Sequence, residues 1–357
     1  MFLQVKITRQ DRGAFRLLWW KDADIRRTAK EYCLTVHPFG AVSSPFCANF
    51  ALKTVDIFGK EFNEDIQVVV DKSFYVDDYL ASIDNVQDAT ELAKAHGSLL
   101  RKGGSRLTKW ISNCLQVLES IHPEERAEAV REIDFERLPT ERTLGLFWNT
   151  MVDSFEFKVR IPKRPLTRRG MLPSVASLYD PLGLVALFIL PMKQLLQRLG
   201  KLGLGWDEEI PNEESKSWLE ILSEFQRVED VSFPRCVLFP QSDRLLLELH
   251  IFSDASETGY GAVAYVRSYI SDTEICSRLV VAKARVAPLK VQTIPRLELT
   301  AAVLAARMGY QLQSELDIKF AEVNFWTDSM IVLHYIRNEK SQFKTFIANR
   351  ISIIQSY

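Results

Sequence analysis

Two places in the sequence carry side chains suited to phosphoryl chemistry. The first is the run Phe74-Tyr75-Val76-Asp77-Asp78-Tyr79-Leu80, which sets adjacent carboxylates between apolar neighbours. Neighbouring residues on a strand face opposite ways, but at the tip of a tight hairpin the two can sit together. Carboxylates held that close repel, so a divalent cation is their natural partner. In-line phosphoryl transfer uses metals about 3.5–4 Å apart to activate one oxygen and stabilise the other. The alternative for Asp77 and Asp78 is a solvated acidic turn. The second place is dispersed. Asp254 lies in FSDAS at the end of a strand-like stretch, Glu298 in IPRLEL in the first turn of a helical one, and Asp328 in FWTDS after another strand. Two strand ends and a facing helix can converge three such carboxylates. Oxygen-only ligands favour Mg2+ or Mn2+, and a metal-activated water removes the need for a side-chain nucleophile. Each residue also has a structural alternative: Asp254 as a turn cap before Gly259, Glu298 as a partner of the helix dipole, Asp328 as a helix N-cap.

The elements that must position these groups are legible from periodicity. Leu245 to Asp254 alternates as a strand, Gly259 and Gly261 suggest a turn, and Ala262–Val266 and Val280–Val286 read as two further strands. Pro295 opens a helix to about Tyr310, in keeping with proline at the first helical position. Val323–Thr327 is a fourth strand and Ser329–Ile336 a following helix. Upstream, the alternation at the N-terminus reads as a strand entered partway, and Phe15–Trp20 reads as a buried strand. Residues 37–45 form a Gly-Pro-Ser-rich turn, and residues 46–58 have helical spacing. Residues 66–70 are apolar, and residues 86–101 form an amphipathic helix ending at Gly103-Gly104. Residues 115–137 are helix-prone with a break at His122-Pro123. Residues 158–169 (KVRIPKRPLTRR) are basic and acid-free, open to reading as a solvated loop or as a contact for phosphates. Residues 173–200 and 206–228 read as helical, and the aperiodic, proline-bearing stretch 229–244 as a boundary.

Composition narrows the classes. The 357 residues allow two or three domains, and 47% hydrophobic with 25% charged residues is ordinary for globular chains. With a net charge of −1, nucleic acid would have to be held by local basic patches. The five cysteines form no CxxC pair and the five histidines no spaced metal pair, which argues against a disulfide framework or a zinc site and fits a reducing compartment. The longest apolar run, Leu182 to Met192, is interrupted by Gly183 and Pro191, so no membrane partner is expected. The N-terminus lacks the apolar core of a signal peptide. There is neither a GxSxG elbow nor a phosphate-loop lysine. Phe15, Trp19 and Trp20 read as core rather than as a stacking platform for bases.

The ordered motifs resemble one family. Tyr75-Val76-Asp77-Asp78 resembles the metal-binding turn of reverse transcriptases. Pro38-Phe39-Gly40-Ala41-Val42-Ser43-Ser44-Pro45 resembles the segment lining template and nucleotide, where glycine permits close backbone approach. Lys109-Trp110-Ile111-Ser112-Asn113 and Leu144-Gly145-Leu146-Phe147-Trp148 resemble the elements that follow. With Ser177–Leu184 (SLYDPLGL), Trp206-Asp207, Ala282–Val286, Phe343–Arg350 and the DAS, PRLEL and TDS motifs, the order is similar to that of Pao/BEL-type LTR retrotransposon polyproteins along essentially the whole chain. The resemblance implies an α/β and α+β multidomain fold: a partial polymerase palm over 1–150, a helical thumb/connection region over 151–240, and a C-terminally truncated ribonuclease H-like mixed α/β domain over 241–357. It implies an RNA-directed DNA polymerase with ribonuclease H activity. Asp77, Asp78, Asp254, Glu298 and Asp328 would be catalytic and metal-binding, and Phe2, Phe39, Gly40 and Lys109 would contact template or nucleotide. Phe2 matches the position that screens the sugar 2′-OH. Mg2+ or Mn2+ is the implied cofactor. RNA·DNA hybrid, template-primer nucleic acid and deoxynucleoside triphosphates are the implied partners, in the cytoplasm or in virus-like particles. The family's first polymerase aspartate lies before Met1 and its fourth nuclease aspartate beyond Tyr357, so this chain alone is expected not to polymerise. The alternative is an incomplete or domesticated fragment that only binds nucleic acid.

Overall fold

The N-terminal alternation does not produce a strand. In the computed structural model, which describes residues 2–53, 73–131, 140–143, 145–238, 246–271, 273–338 and 343–357, Phe2–Gln4 is a single 3-10 turn closed by Val5 N–H donating to the Phe2 carbonyl. Pairing is confined to an isolated bridge, Lys6 with Val36. The chain divides into two units, Met1–Pro139 and Thr140–Tyr357.

In the first unit, β1 (Arg16–Trp19) pairs antiparallel with β2 (Lys30–Cys33). The strand expected here is present, but its burial is not: Leu18 is 66% and Trp19 53% exposed. A two-stranded ribbon has two faces and too little area to cover them. Helix α1 (Ser44–Lys53) begins two residues before the expected helical stretch, whose end lies outside the described residues, as does the apolar run 66–70. Strands β3 (Phe74–Tyr75) and β4 (Asp78–Tyr79) form a minimal hairpin. Helix α2 (Val86–Lys102) starts at Asn85, whose side chain accepts from the Asp88 amide, and buries Ala93, His96, Leu99 and Leu100. Among the described residues of the helix-prone stretch 115–137, which end at Arg131, there are α3 (Leu115–Glu119) and two 3-10 turns, the helix stopping before Pro123, which has no N–H to continue the ladder.

The second unit opens with β5 (Thr140–Thr143), β6 (Leu146–Asn149) and β7 (Ser154–Glu156). Helices α4 (Arg168–Val175), α5 (Ala186–Lys201) and α6 (Asn212–Gln226) follow. Strand β8 (Ser232–Pro234) then completes an antiparallel sheet in the order β5-β6-β7-β8. The stretch read as an aperiodic boundary therefore contributes a strand, pinned by a two-pronged ion pair from Arg235 to Asp153 at 2.6 and 3.0 Å. Phe157, Met192, Leu199, Trp218 and Phe225 centre the core of this part.

The remainder has the element order expected from periodicity: β9 (Leu246–Ala255), β10 (Gly259–Tyr269), β11 (Ile275–Val286), α7 (Ile294–Glu315), β12 (Glu322–Trp326) and α8 (Met330–Arg337), with α9 (Thr345–Gln355) in addition. The sheet order is β11-β10-β9-β12. β9, β10 and β11 are antiparallel neighbours, and β12 joins parallel to β9 after the α7 crossover. Gly259 and Gly261 lie in β10 rather than in a turn. At Gly261 an added Cβ would stand 3.0 Å from the Lys283 carbonyl, so these glycines serve close strand approach. Leu249, Ile251, Ala264 and Val266 are fully buried in the core that includes Leu304 and Met308 of α7. The whole is a mixed α/β, multidomain fold.

Candidate nuclease and hairpin sites

The hairpin places Asp77 and Asp78 at an exposed tip. Tyr75 pairs with Asp78, and Val76 takes φ 59° to make the turn, a conformation unfavourable for a β-branched residue. Tyr79 anchors the hairpin: its hydroxyl lies 2.8 Å from His96 Nδ1, and its ring packs on Phe74 and Trp110. Burial raises the Tyr79 pKa well above its ordinary value. The Asp78 carboxyl is also raised, first by partial burial and then by the charge of Asp77, with Lys109 opposing. The structure thus brings Asp77, Asp78 and Lys109 into one electrostatic group. Separately, Phe2 and Phe39 meet edge-to-face at 5.1 Å, with Phe39 70% exposed. Gly40 has φ 85° and open space where a Cβ would be, so its glycine is required by backbone conformation.

In the second unit, the parallel register pairs Trp326 with Phe252. Asp254 lies within β9 two residues past this pair, and Asp328 follows the end of β12 by two residues, so both stand at the carboxyl ends of neighbouring strands. Ser253 Oγ donates to the Trp326 carbonyl at 3.3 Å and ties the strand ends together. Trp326 stacks on Phe252 and donates from Nε1 to His250 Nδ1 at 3.0 Å. This leaves His250 Nε2 to donate to Glu248 at 2.9 Å. Glu298 reaches the same end of the sheet from α7. It lies beyond the helix's first turn, which contains no acid, so the dipole alternative loses its basis. Its Oε2 accepts a short hydrogen bond from Ser329 Oγ.

Ser329 is the residue that reading the sequence passed over. Its oxygen also accepts from the Val332 amide at 3.3 Å, which makes Ser329, not Asp328, the N-cap of α8. The available signal was a serine directly before an apolar helical run. Asp254 and Asp328 are exposed and Glu298 is half-buried. Asp254 Oδ1 accepts from the Ala255 amide at 2.6 Å, so this carboxylate is turned onto its own backbone. The donor set, oxygen only, fits Mg2+ or Mn2+ chemically. The side chains as placed are not gathered: among the described residues no three His, Cys, Asp or Glu side chains lie close enough together to hold a metal.

A four-stranded sheet with three antiparallel strands, a helical crossover and a parallel fourth strand, bearing acids at one end, defines a ribonuclease H-like domain. Residues 167–329 match the family model of the Pao retrotransposon-like RNaseH-like domain. That span contains Asp254, Glu298 and Asp328. Among solved structures, the chain is similar to that of the foamy viral protease-reverse transcriptase dRH in complex with double-stranded DNA. The TM-score is 0.53 with 16% identity, over 99% of this chain and 52% of that one. It also matches the foamy viral protease-reverse transcriptase in complex with double-stranded DNA, at TM-score 0.45 and 16% identity over 97% of this chain and 62% of that one. The chain spans about half the length of the first of these structures. A search of curated proteins finds no match.

Proposed function

We propose that this chain is the reverse transcriptase and ribonuclease H portion of a Pao-type retroelement polyprotein, and that its C-terminal site cleaves RNA in RNA·DNA hybrids. The observation that carries the reading is the parallel pairing of β9 with β12, near whose carboxyl ends Asp254 and Asp328 fall in sequence, together with the hydrogen bond from Ser329, next to Asp328, to Glu298 of α7. Asp254, Glu298 and Asp328 would hold Mg2+ or Mn2+, which when bound supplies a water of lowered pKa and stabilises the leaving oxygen. Ser329 positions Glu298 and does not touch the reacting atoms. Residues 1–150 would be palm, 151–240 thumb and connection, and 241–357 the ribonuclease H-like domain. The hairpin acids Asp77 and Asp78, with Lys109, Phe2, Phe39 and Gly40, would serve template-primer and deoxynucleoside triphosphate. The test is cleavage of a labelled hybrid in Mg2+ by the whole chain: activity lost in Asp254→Asn supports the assignment, and activity retained in that variant removes it.

A second reading, nucleic-acid binding without cleavage, is favoured by one observation. The Asp254 carboxylate accepts from Ala255 N–H and that of Glu298 from Ser329 Oγ, and among the described residues no three acids gather to hold a metal. Salt-sensitive affinity for hybrid with no cleavage in either Mg2+ or Mn2+ is its signature.

A further inference from the structure

The basic stretch that follows β7 is neither coiled at random nor neutralised. Strand alternation continues past the end of β7: Phe155, Phe157, Val159 and Ile161 all pack into the core shared with α5 and α6. The intervening residues face outward, and Lys158, Arg160, Lys163 and Arg164 are exposed. Two prolines, Pro162 and Pro165, disfavour helical backbone at Ile161 and Arg164 and favour extended chain there. The Val159 amide donates to Glu229 Oε1 at 2.7 Å, which fixes the segment while turning that carboxylate toward backbone. Lys158 lies over the Phe147 ring, 4.8 Å from its centroid. Arg160, Lys163 and Arg164 have no ion pair among the described residues, whereas Arg169, Arg227 and Arg235 of the same unit are each paired with an acid.

In a chain of net charge −1, three unpaired cations on a stiff, core-anchored segment form a local exception. A solvated loop needs neither the buried alternate residues nor the prolines. An extended chain advances about 6.6 Å per two residues, so Lys158, Arg160 and Arg164, at even-numbered positions, fall in file rather than as a cluster, with Lys163 exposed next to the last of them in sequence. We infer that residues 158–164 form a rigid cationic rail that holds the phosphate backbone of a nucleic-acid duplex. The inference rests on the nucleic-acid reading above and assigns it a surface remote in sequence from every candidate catalytic carboxylate. Phosphate contacts of this kind position a duplex without reading its sequence.

The test is equilibrium binding of the whole chain to a labelled RNA·DNA hybrid across a series of salt concentrations. It compares the native chain with the triple variant Arg160→Ala, Lys163→Ala, Arg164→Ala. Each lost phosphate contact removes about 0.9 from the slope of log affinity against log salt, so the triple variant is expected to lose about 2–3 of slope, equally for hybrids of unrelated sequence. The apolar anchors are untouched, and an unchanged melting curve verifies folding. The charge-preserving double variant Arg160→Lys, Arg164→Lys restores the slope if charge alone is read, and its failure to do so overturns the rail as a phosphate tracker. Binding by the native chain with the same slope in the triple variant removes the rail and leaves the nucleic-acid reading standing. No binding by the native chain removes both. Tighter, Arg160-dependent capture of a polyglutamate peptide than of hybrid also overturns the inference.

Discussion

Replacing Ser329 by alanine should separate this arrangement from a chance meeting of acids. Ser329 is 6% exposed, and its single oxygen makes two connections, donating to Glu298 Oε2 and accepting from the Val332 amide. Loss of an N-cap costs about 1 kcal/mol, and loss of a hydrogen bond to a charged group about 1.5–3 kcal/mol. Because both act through one atom, their sum of about 2.5–4 kcal/mol is an upper bound. Urea denaturation of Ser329→Ala should therefore show a loss of about 2–3 kcal/mol with an unchanged denaturant slope. Two companion variants divide the loss. Threonine keeps both connections and should be near-native. Aspartate keeps the cap but sets a second carboxylate against Glu298, so α8 should persist while hybrid cleavage falls more than in Ser329→Ala. A loss below about 0.5 kcal/mol in Ser329→Ala, with cleavage unaltered, would refute both the cap and the positioning of Glu298.

Three further outcomes follow from the same structure. Gly183 has φ 71°, and a Cβ there would stand 1.9 Å from the Ala282 carbonyl, so Gly183→Ala should cost at least about 2 kcal/mol, read as a fall in melting temperature. Asp153 receives Arg235 and the Trp148 Nε1–H and sits at φ 49°. Asp153→Asn, which tolerates that backbone, should cost about 1–2 kcal/mol by urea denaturation, with β8 exchanging its amides faster. Glu248 is held below its ordinary value of 4.5, chiefly by the hydrogen bond from His250 and then by Tyr269. Its stabilisation is present above pH about 4.5 and is lost as pH falls through the depressed folded-state value. Glu248→Gln should flatten the acid limb of a stability–pH profile, and an unchanged limb would show that other carboxylates carry it.

Long periodic elements were the legible part of the fold. Strand β9 alternates over ten residues and α7 announces itself with Pro295, whereas β10 and β11 were legible only in part, over 262–266 and 280–286, and run longer in the structure. The two-residue strands of the hairpin were readable only because paired aspartates between apolar neighbours suggested a turn. Burial was less readable than element type: the run Phe15–Trp20 has a core composition, yet the ribbon β1–β2 leaves Leu18 and Trp19 exposed. Strand β8 was missed because three residues are too short to show a period, and its place depends on Arg235 meeting Asp153 far away in sequence. In the candidate site, the sequence offered Asp254, Glu298 and Asp328 as candidates from their motifs and the neighbouring strand pattern. Their orientations could not be read, because they follow from local hydrogen bonds, that of Asp254 to Ala255 N–H and that of Glu298 to Ser329, which no spacing rule encodes.

The most direct test of the nuclease assignment is to crystallise the chain with an RNA·DNA hybrid in Mn2+ and locate the metal by its anomalous scattering. The account predicts density among Asp254, Glu298 and Asp328, with the Asp254 side chain rotated away from the Ala255 amide and the scissile phosphate of the RNA strand alongside. Hybrid bound with Mn2+ held elsewhere, and Asp254 still turned onto Ala255, would contradict it.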